Sequence, residues 1–145
     1  MIKELLKMEK FKKYSFRKEL KKICNKNADK VCIHDDIKNE KILYADLFKN
    51  LFSIQNFLKK KGIKKEALII SCLENSSINF QIFLSLMFFG YIYSPLTPDT
   101  TIEEFKKSLK ISKNFFVLVS NGTNNSLMQY LKKNKIKFLN INHIK

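Results

Sequence analysis

Residues 75–98, from Asn75 to Pro98, carry no charged side chain, in a chain of which 28% of residues are charged and whose formal net charge is +15. A segment facing solvent in so lysine-rich a chain would pick up charge by composition alone, so this one reads as interior. Its apolar centre, "IFLSLMFFGYIY", is about a dozen residues, short of the ~20 that a membrane-spanning helix needs, and Gly90, Pro95 and Pro98 interrupt it. The expectation is therefore a buried helix over 78–89 followed by a buried strand over 91–96, and no membrane span.

The flanking sequence has the punctuation such a core requires. Asn75, Ser76 and Ser77 are suited to cap the helix, and Gly90 to end it. Pro95 ends ladder donation at the close of the strand, and Pro98 stiffens a turn. Two capping boxes then compete to start the next helix, Thr100 with Glu103 and Thr101 with Glu104, with Ile102, Phe105 and Leu109 as its buried face. Upstream, Leu47, Leu51, Ile54 and Leu58 recur at helical spacing. Lys59–Lys61 suit that helix's C-terminal end, and Gly62 its left-handed cap. "EALIISCL" (66–73) has almost no polar interruption, as expected of a strand covered on both faces.

Nearer the N-terminus, Ser15 opens a helix with Phe16, Leu20 and Ile23 on one stripe, and "KVCIHDD" and "EKILY" pair as a hairpin across 37–39. Near the C-terminus come the strand "FFVLVS", the loop "NGTNN", a helix around 127–133 and the strand "IKFLNI". Strand and helix alternate from Glu66 onward, which argues an α/β fold with a mostly parallel sheet, preceded by the short β-hairpin. At this length roughly 70% of the unfolded surface can be buried. The organisation expected is a basic lead-in over 1–14 and a single α/β domain over 15–145.

The net charge of +15 invites a nucleic-acid interface. Against it, Arg17 is the only arginine among 28 basic residues, and the guanidinium fork is what grips bases and phosphates bidentately. The lysines are spread along the whole chain, so nucleic acid is not the expected partner. Cys24, Cys32 and Cys72 have no paired spacing, and the N-terminus has no apolar leader core, so free thiols in a cytoplasmic protein are the simplest reading. Cys32 and His34 followed by Asp35 and Asp36 lack a second ligand pair and are not assigned to a metal.

Only "VLVSNGTNNSL" invites a phosphate-binding reading, as a strand, a loop with Gly122 and Thr123, and a helix start. It has one glycine and no lysine in the loop, and Asn, Ser and Thr in that position usually serve as turn and cap residues. His34, at a strand end, and His143, in the exposed tail, are far apart in sequence and sit in no nucleophile–base motif. Capping accounts for Glu103 and Glu104. No residue is assigned as catalytic, cofactor-binding or metal-binding.

The order of these pieces resembles the N-terminal part of the adenylate-forming (AMP-binding) enzymes, from about Phe16 to Ser120. That superfamily includes acyl-CoA synthetases, fatty-acid AMP ligases, luciferases and peptide-synthetase adenylation domains. "NADKVCIHDD" matches its first strand, though Ala28 stands where a proline is usual. "ILYADL" resembles its Thr-Tyr-Ala-Glu-Leu, through Tyr44, Ala45 and Leu47, with Asp46 for Glu. "KKKGIKKEALIISCLENS" matches a strand and Leu-x-Asn-Ser turn through Gly62, Leu73, Asn75 and Ser76, with Lys65-Glu66 replacing Gly-Asp. "SPLTPDTTIEEF" matches a Pro-Leu-x-Pro turn before a Thr-x-Glu-Glu helix.

The resemblance implies the first subdomain of an ATP-dependent acyl-activating ligase, of the acyl-CoA synthetase kind. The whole enzyme would use ATP and Mg²⁺, with CoA, a carrier protein or another group as acceptor. The family's phosphate loop, Mg²⁺-coordinating glutamate, ribose-binding aspartate and catalytic lysine lie beyond the matched region, so this chain alone is expected to be inactive. The expected partner is the remainder of the adenylating enzyme or a complementary subunit, docking on an exposed apolar face. The alternatives are a non-catalytic α/β interaction or scaffold module and, third, a basic nucleic-acid binder.

Overall fold

A computed structural model describes residues 15–143. The lead-in expected over 1–14 and the exposure expected of His143 lie outside the described residues. The chain falls into two compact parts divided between Lys49 and Asn50, within one helix.

In the first part, helix α1 spans Phe16–Lys26. Ser15 takes the N-cap position in extended conformation, but its side chain makes no capping bond. Cys24 is the buried residue of α1, whereas Phe16 and Ile23 remain exposed. Strands β1 (Val31–Asp35) and β2 (Glu40–Leu43) pair antiparallel as expected, with Asp35 opposite Glu40. Asn39 turns the chain at φ 49°, a left-handed conformation asparagine tolerates, and the Lys38 N–H donates to Asp35 Oδ1 at 3.1 Å.

Helix α2 spans Tyr44–Lys60. From Asn50 onward it buries Leu51, Ile54 and Leu58, the stripe its periodicity demands. Gly62, at φ 73°, ends it as expected, and the Ile63 N–H returns to the Leu58 carbonyl at 3.1 Å.

The second part is built on a four-stranded parallel sheet in the order β4-β3-β5-β6, with β3 at Leu68–Cys72, β4 at Ile92–Leu96, β5 at Phe115–Val119 and β6 at Phe138–Asn140. Every residue of β3 is buried, as its unbroken apolar run required. Helix α3 covers Ser77–Phe89 between β3 and β4, α4 covers Ile102–Leu109 and α5 covers Asn125–Lys133. One sheet face joins Leu68, Ile70, Cys72, Val117 and Val119 to Phe105 of α4 and Leu127 and Leu131 of α5. Phe105 is fully buried, an environment that stabilises such a side chain by about 1.5–3 kcal/mol. Tyr130 meets its ring edge-on at 6.3 Å.

Helix α3 is held along one side by α2. Asn50 Nδ2 donates to Gln81 Oε1 at 2.8 Å, Ser85 Oγ donates to the Leu51 carbonyl at 2.8 Å, and Phe52 meets Phe88 and Phe89 edge-on. The Ser76 hydroxyl caps α3 by accepting from the Asn79 N–H, and Gly90, at φ 73°, terminates it.

Two expectations need correction. The strand over 91–96 is not buried: β4 lies at the edge of the sheet, and Ile92 is 50% exposed. An edge is also where Pro95, opposite Ser71, can sit within a strand without removing a needed donor. Of the two capping boxes, only Thr101 with Glu104 forms: the Glu104 N–H donates to Thr101 Oγ1 and the Thr101 N–H to Glu104 Oε2. Thr100 is instead turned into the fold, its N–H bonded to the Thr97 carbonyl and its hydroxyl 3.4 Å from that of Thr97.

Candidate functional site

Ligands of open α/β sheets gather beyond the C-terminal strand ends, where the strand order reverses. In this sheet β3 and β5 flank that point, since β4 lies to one side of β3 and β5 and β6 to the other. The loops that meet there are 73–76, after β3, and 120–124, after β5.

The loop after β5 is occupied with its own architecture. Thr123 Oγ1 donates to the Cys72 carbonyl at 2.7 Å and accepts the Ser120 N–H at 3.0 Å, tying the ends of the two strands together. Asn124 Oδ1 caps α5 by accepting from the Ser126 and Leu127 N–H groups. The Asn124 N–H donates to the Pro98 carbonyl at 2.7 Å. The Glu74 side chain lies against Gly122, where a Cβ would collide with its carboxylate. Asn140 Nδ2 donates to Asn121 Oδ1 at 2.8 Å, and Asn142 Oδ1 accepts the Asn121 N–H at 3.3 Å. Ser120 Oγ is buried without a hydrogen-bond partner among the described residues.

The loop over 120–124 therefore does not fit the phosphates of ATP. A phosphate at 120–124 would face the Glu74 carboxylate, with no lysine in the loop to offset the repulsion. The turn-and-cap reading of this loop is the one its hydrogen bonds support. Among the described residues there is also no group of three or more His, Cys, Asp and Glu able to hold a metal. Cys32 Sγ donates to the Ile42 carbonyl at 3.1 Å, and His34 Nδ1 lies 3.4 Å from Asp36 Oδ1.

A second polar group was not legible in the sequence. Ser71 Oγ and Tyr93 Oη are 2.6 Å apart across β3 and β4. Burial pushes the Tyr93 hydroxyl up, against a smaller lowering by the Ser71 bond. Tyr93 stacks obliquely on Phe83, with centroids 5.9 Å apart. Beside it a cleft of about 330 Å³ opens between Asn75, Ser76, Asn79, Phe80, Phe83 and Pro95. No sequence signal pairs residues 71 and 93, because their meeting depends on which strands become neighbours.

Burial drives the Cys72 thiol up to about 12, so it stays protonated at neutral pH. Burial, and then the charge of Glu66, push the Tyr91 hydroxyl up. Glu104 is held below the ordinary carboxylate range by its bonds to Thr101.

No family model and no curated protein matches the sequence. Solved structures do. The luciferase-like enzyme from the nonluminescent Zophobas morio mealworm superposes with a TM-score of 0.72 at 22% identity, over 88% of this chain and 30% of that one. ATP-bound MatB from Rhodopseudomonas palustris gives 0.64 at 19% identity, over 77% and 22%. The NpsA N-terminal subdomain of Klebsiella oxytoca, in complex with 3-hydroxyanthranilyl-AMSN, gives 0.70 at 15% identity, over 89% and 31%. The chain thus spans less than a third of the length of each of these structures. By these superpositions the chain has the fold of the N-terminal portion of the adenylate-forming enzymes.

Proposed function

We propose that this chain supplies the first subdomain of an ATP-dependent acyl-activating ligase and is inactive alone. The observation that carries the reading is the fold shared with MatB and NpsA, whose structures hold ATP and 3-hydroxyanthranilyl-AMSN respectively. In this reading the complete enzyme joins a carboxylate to AMP with release of pyrophosphate and then passes the acyl group to an acceptor. The positioned cations and phosphates that such a reaction needs come from residues outside this chain. The chain contributes a sheet and helices against which the remainder packs.

The test is exchange of labelled pyrophosphate into ATP. The purified chain is expected to show none above background, and the chain joined to its partner is expected to exchange in the presence of a carboxylic acid. Exchange by the chain alone refutes the claim of inactivity. A purified partner complex without exchange refutes the ligase reading and leaves a scaffold module.

A further inference from the structure

We infer that the outer edge of β4 and the outer stripe of α3 form one docking surface, and that its occupant is a polypeptide carrying the continuation of the adenylate-forming fold, which adds a strand beside β4. This rests on the function proposed above and names where the partner binds.

The first argument is the state of the edge. An open strand edge invites pairing with another chain, and proteins normally blunt it with lysines, prolines, inward charges or a covering element. β4 carries no lysine and no inward charge, and its one such device is Pro95, next to the last residue of the strand. No charge occurs anywhere from Asn75 to Pro98, although lysine is abundant on either side, and Pro95 is the one residue of β4 that cannot donate. Parallel strands, moreover, occur almost wholly where both sheet faces are covered.

The second argument is that both faces beside this edge are open. Tyr93 turns toward α3, where it meets Phe83. Alternation then sends Ile92 to the opposite face. On the α3 side, Phe80 and Met87 lie two helical turns apart and are 48% and 47% exposed, while Ile92 on the other side is 50% exposed. The cleft between Phe80, Phe83, Tyr93 and Pro95 runs along the same edge. A helix laid on one face would leave the other bare. A strand that extends the sheet, bringing its own cover, closes both.

The third argument selects the occupant. A second copy would bring two chains of net charge +15 together, a repulsion that a charge-free patch does nothing to offset. The structural neighbours match most of this chain but continue over more than two-thirds of their own length outside the matched part. In those proteins the same arrangement is one portion of a larger body.

The experiment places a photoreactive benzophenone side chain at Phe80, Met87 or Ile92, in turn, in the full chain produced in its native cell, with Lys137 beside β6 as the control site. After irradiation, cross-linked peptides are identified by mass spectrometry. The expected result is several-fold higher yield at the three edge positions than at Lys137, joined to a polypeptide that bears the remaining adenylate-forming fold. The double variant Phe80→Lys with Ile92→Lys, which alters only half-exposed positions, is expected to lose the cross-link at Met87 while its circular dichroism stays unchanged. Cross-links only to a second copy, to a polypeptide without that fold, or to nothing overturn the inference, as does an undiminished cross-link in the double variant. Pyrophosphate exchange is read separately. A cross-linked partner of that fold without exchange refutes the ligase reading and leaves the surface standing, whereas exchange by a complex cross-linked only through Lys137 refutes the surface and leaves the ligase.

Discussion

The two edges of the parallel sheet are built by opposite rules. β6 is three residues long, is approached through Lys135 and Lys137, and ends in the Asn121–Asn140–Asn142 cluster that satisfies its own polar groups. β4 is longer, carries no charge and exposes Ile92 beside a helix that exposes Phe80 and Met87. A short, polar, lysine-flanked edge resists pairing, whereas a charge-free one of ordinary length, blunted by Pro95 alone, resists it less. The difference teaches that charge along a strand reports the environment its sequence was shaped for, which need not be the one this chain supplies by itself.

The largest expected effect sharpens that contrast in energy. Phe105→Ala, in the cluster packed against the β3–β5 face, is expected to cost about 3–5 kcal/mol. Phe80→Ala beside β4 is expected to cost about 0.5 kcal/mol in the isolated chain, because its site is half open. Denaturant midpoints of the two variants check this, and similar losses would mean that the β4 side is already complete. Next comes the tie between strand ends. Thr123→Ala leaves the Ser120 N–H and the Cys72 carbonyl without Thr123 Oγ1, and is expected to cost about 1–3 kcal/mol in the same assay. Thr101→Ala removes the cap of α4, the helix that follows β4, at about 1 kcal/mol.

The remaining effect is confined to alkaline pH and comes from titration at the C-terminal end of the central strand β3. The Cys72 thiol rises from 9.0 in the unfolded chain to about 12 in the fold. Its neutral form is thus the one the fold favours: the contribution is fully present below pH 9 and is lost as pH rises toward 12. Alkaline unfolding of the parent chain is expected to steepen across that window, and Cys72→Ala to flatten it. A thiol reagent in native conditions is expected to label Cys32 ahead of Cys24 and Cys72, both of which are buried.

Much of this architecture was readable from residue order, because its signals are local. The α2 stripe, the turns at Gly62 and Gly90 and the Asn124 cap each depend on residues within a few positions of one another. The choice between Thr100 and Thr101 as cap was not readable, since it depends on which threonine the rest of the fold buries. Nor was the exposure of β4, because an uncharged run looks the same on a central strand and on an exposed edge. The approach of Glu74 to Gly122 and the Ser71–Tyr93 bond link residues that only the β4-β3-β5 order brings together.

One hydrogen bond has a consequence for association. The Asn124 N–H holds the Pro98 carbonyl, just past the end of β4, while Tyr93 is fastened to Ser71 in the middle of the strand, and Pro95 restricts the backbone between them. The strand is therefore anchored before any partner arrives. A strand that seats on it has only its own disorder to lose, so the entropic penalty of docking falls on one side of the interface.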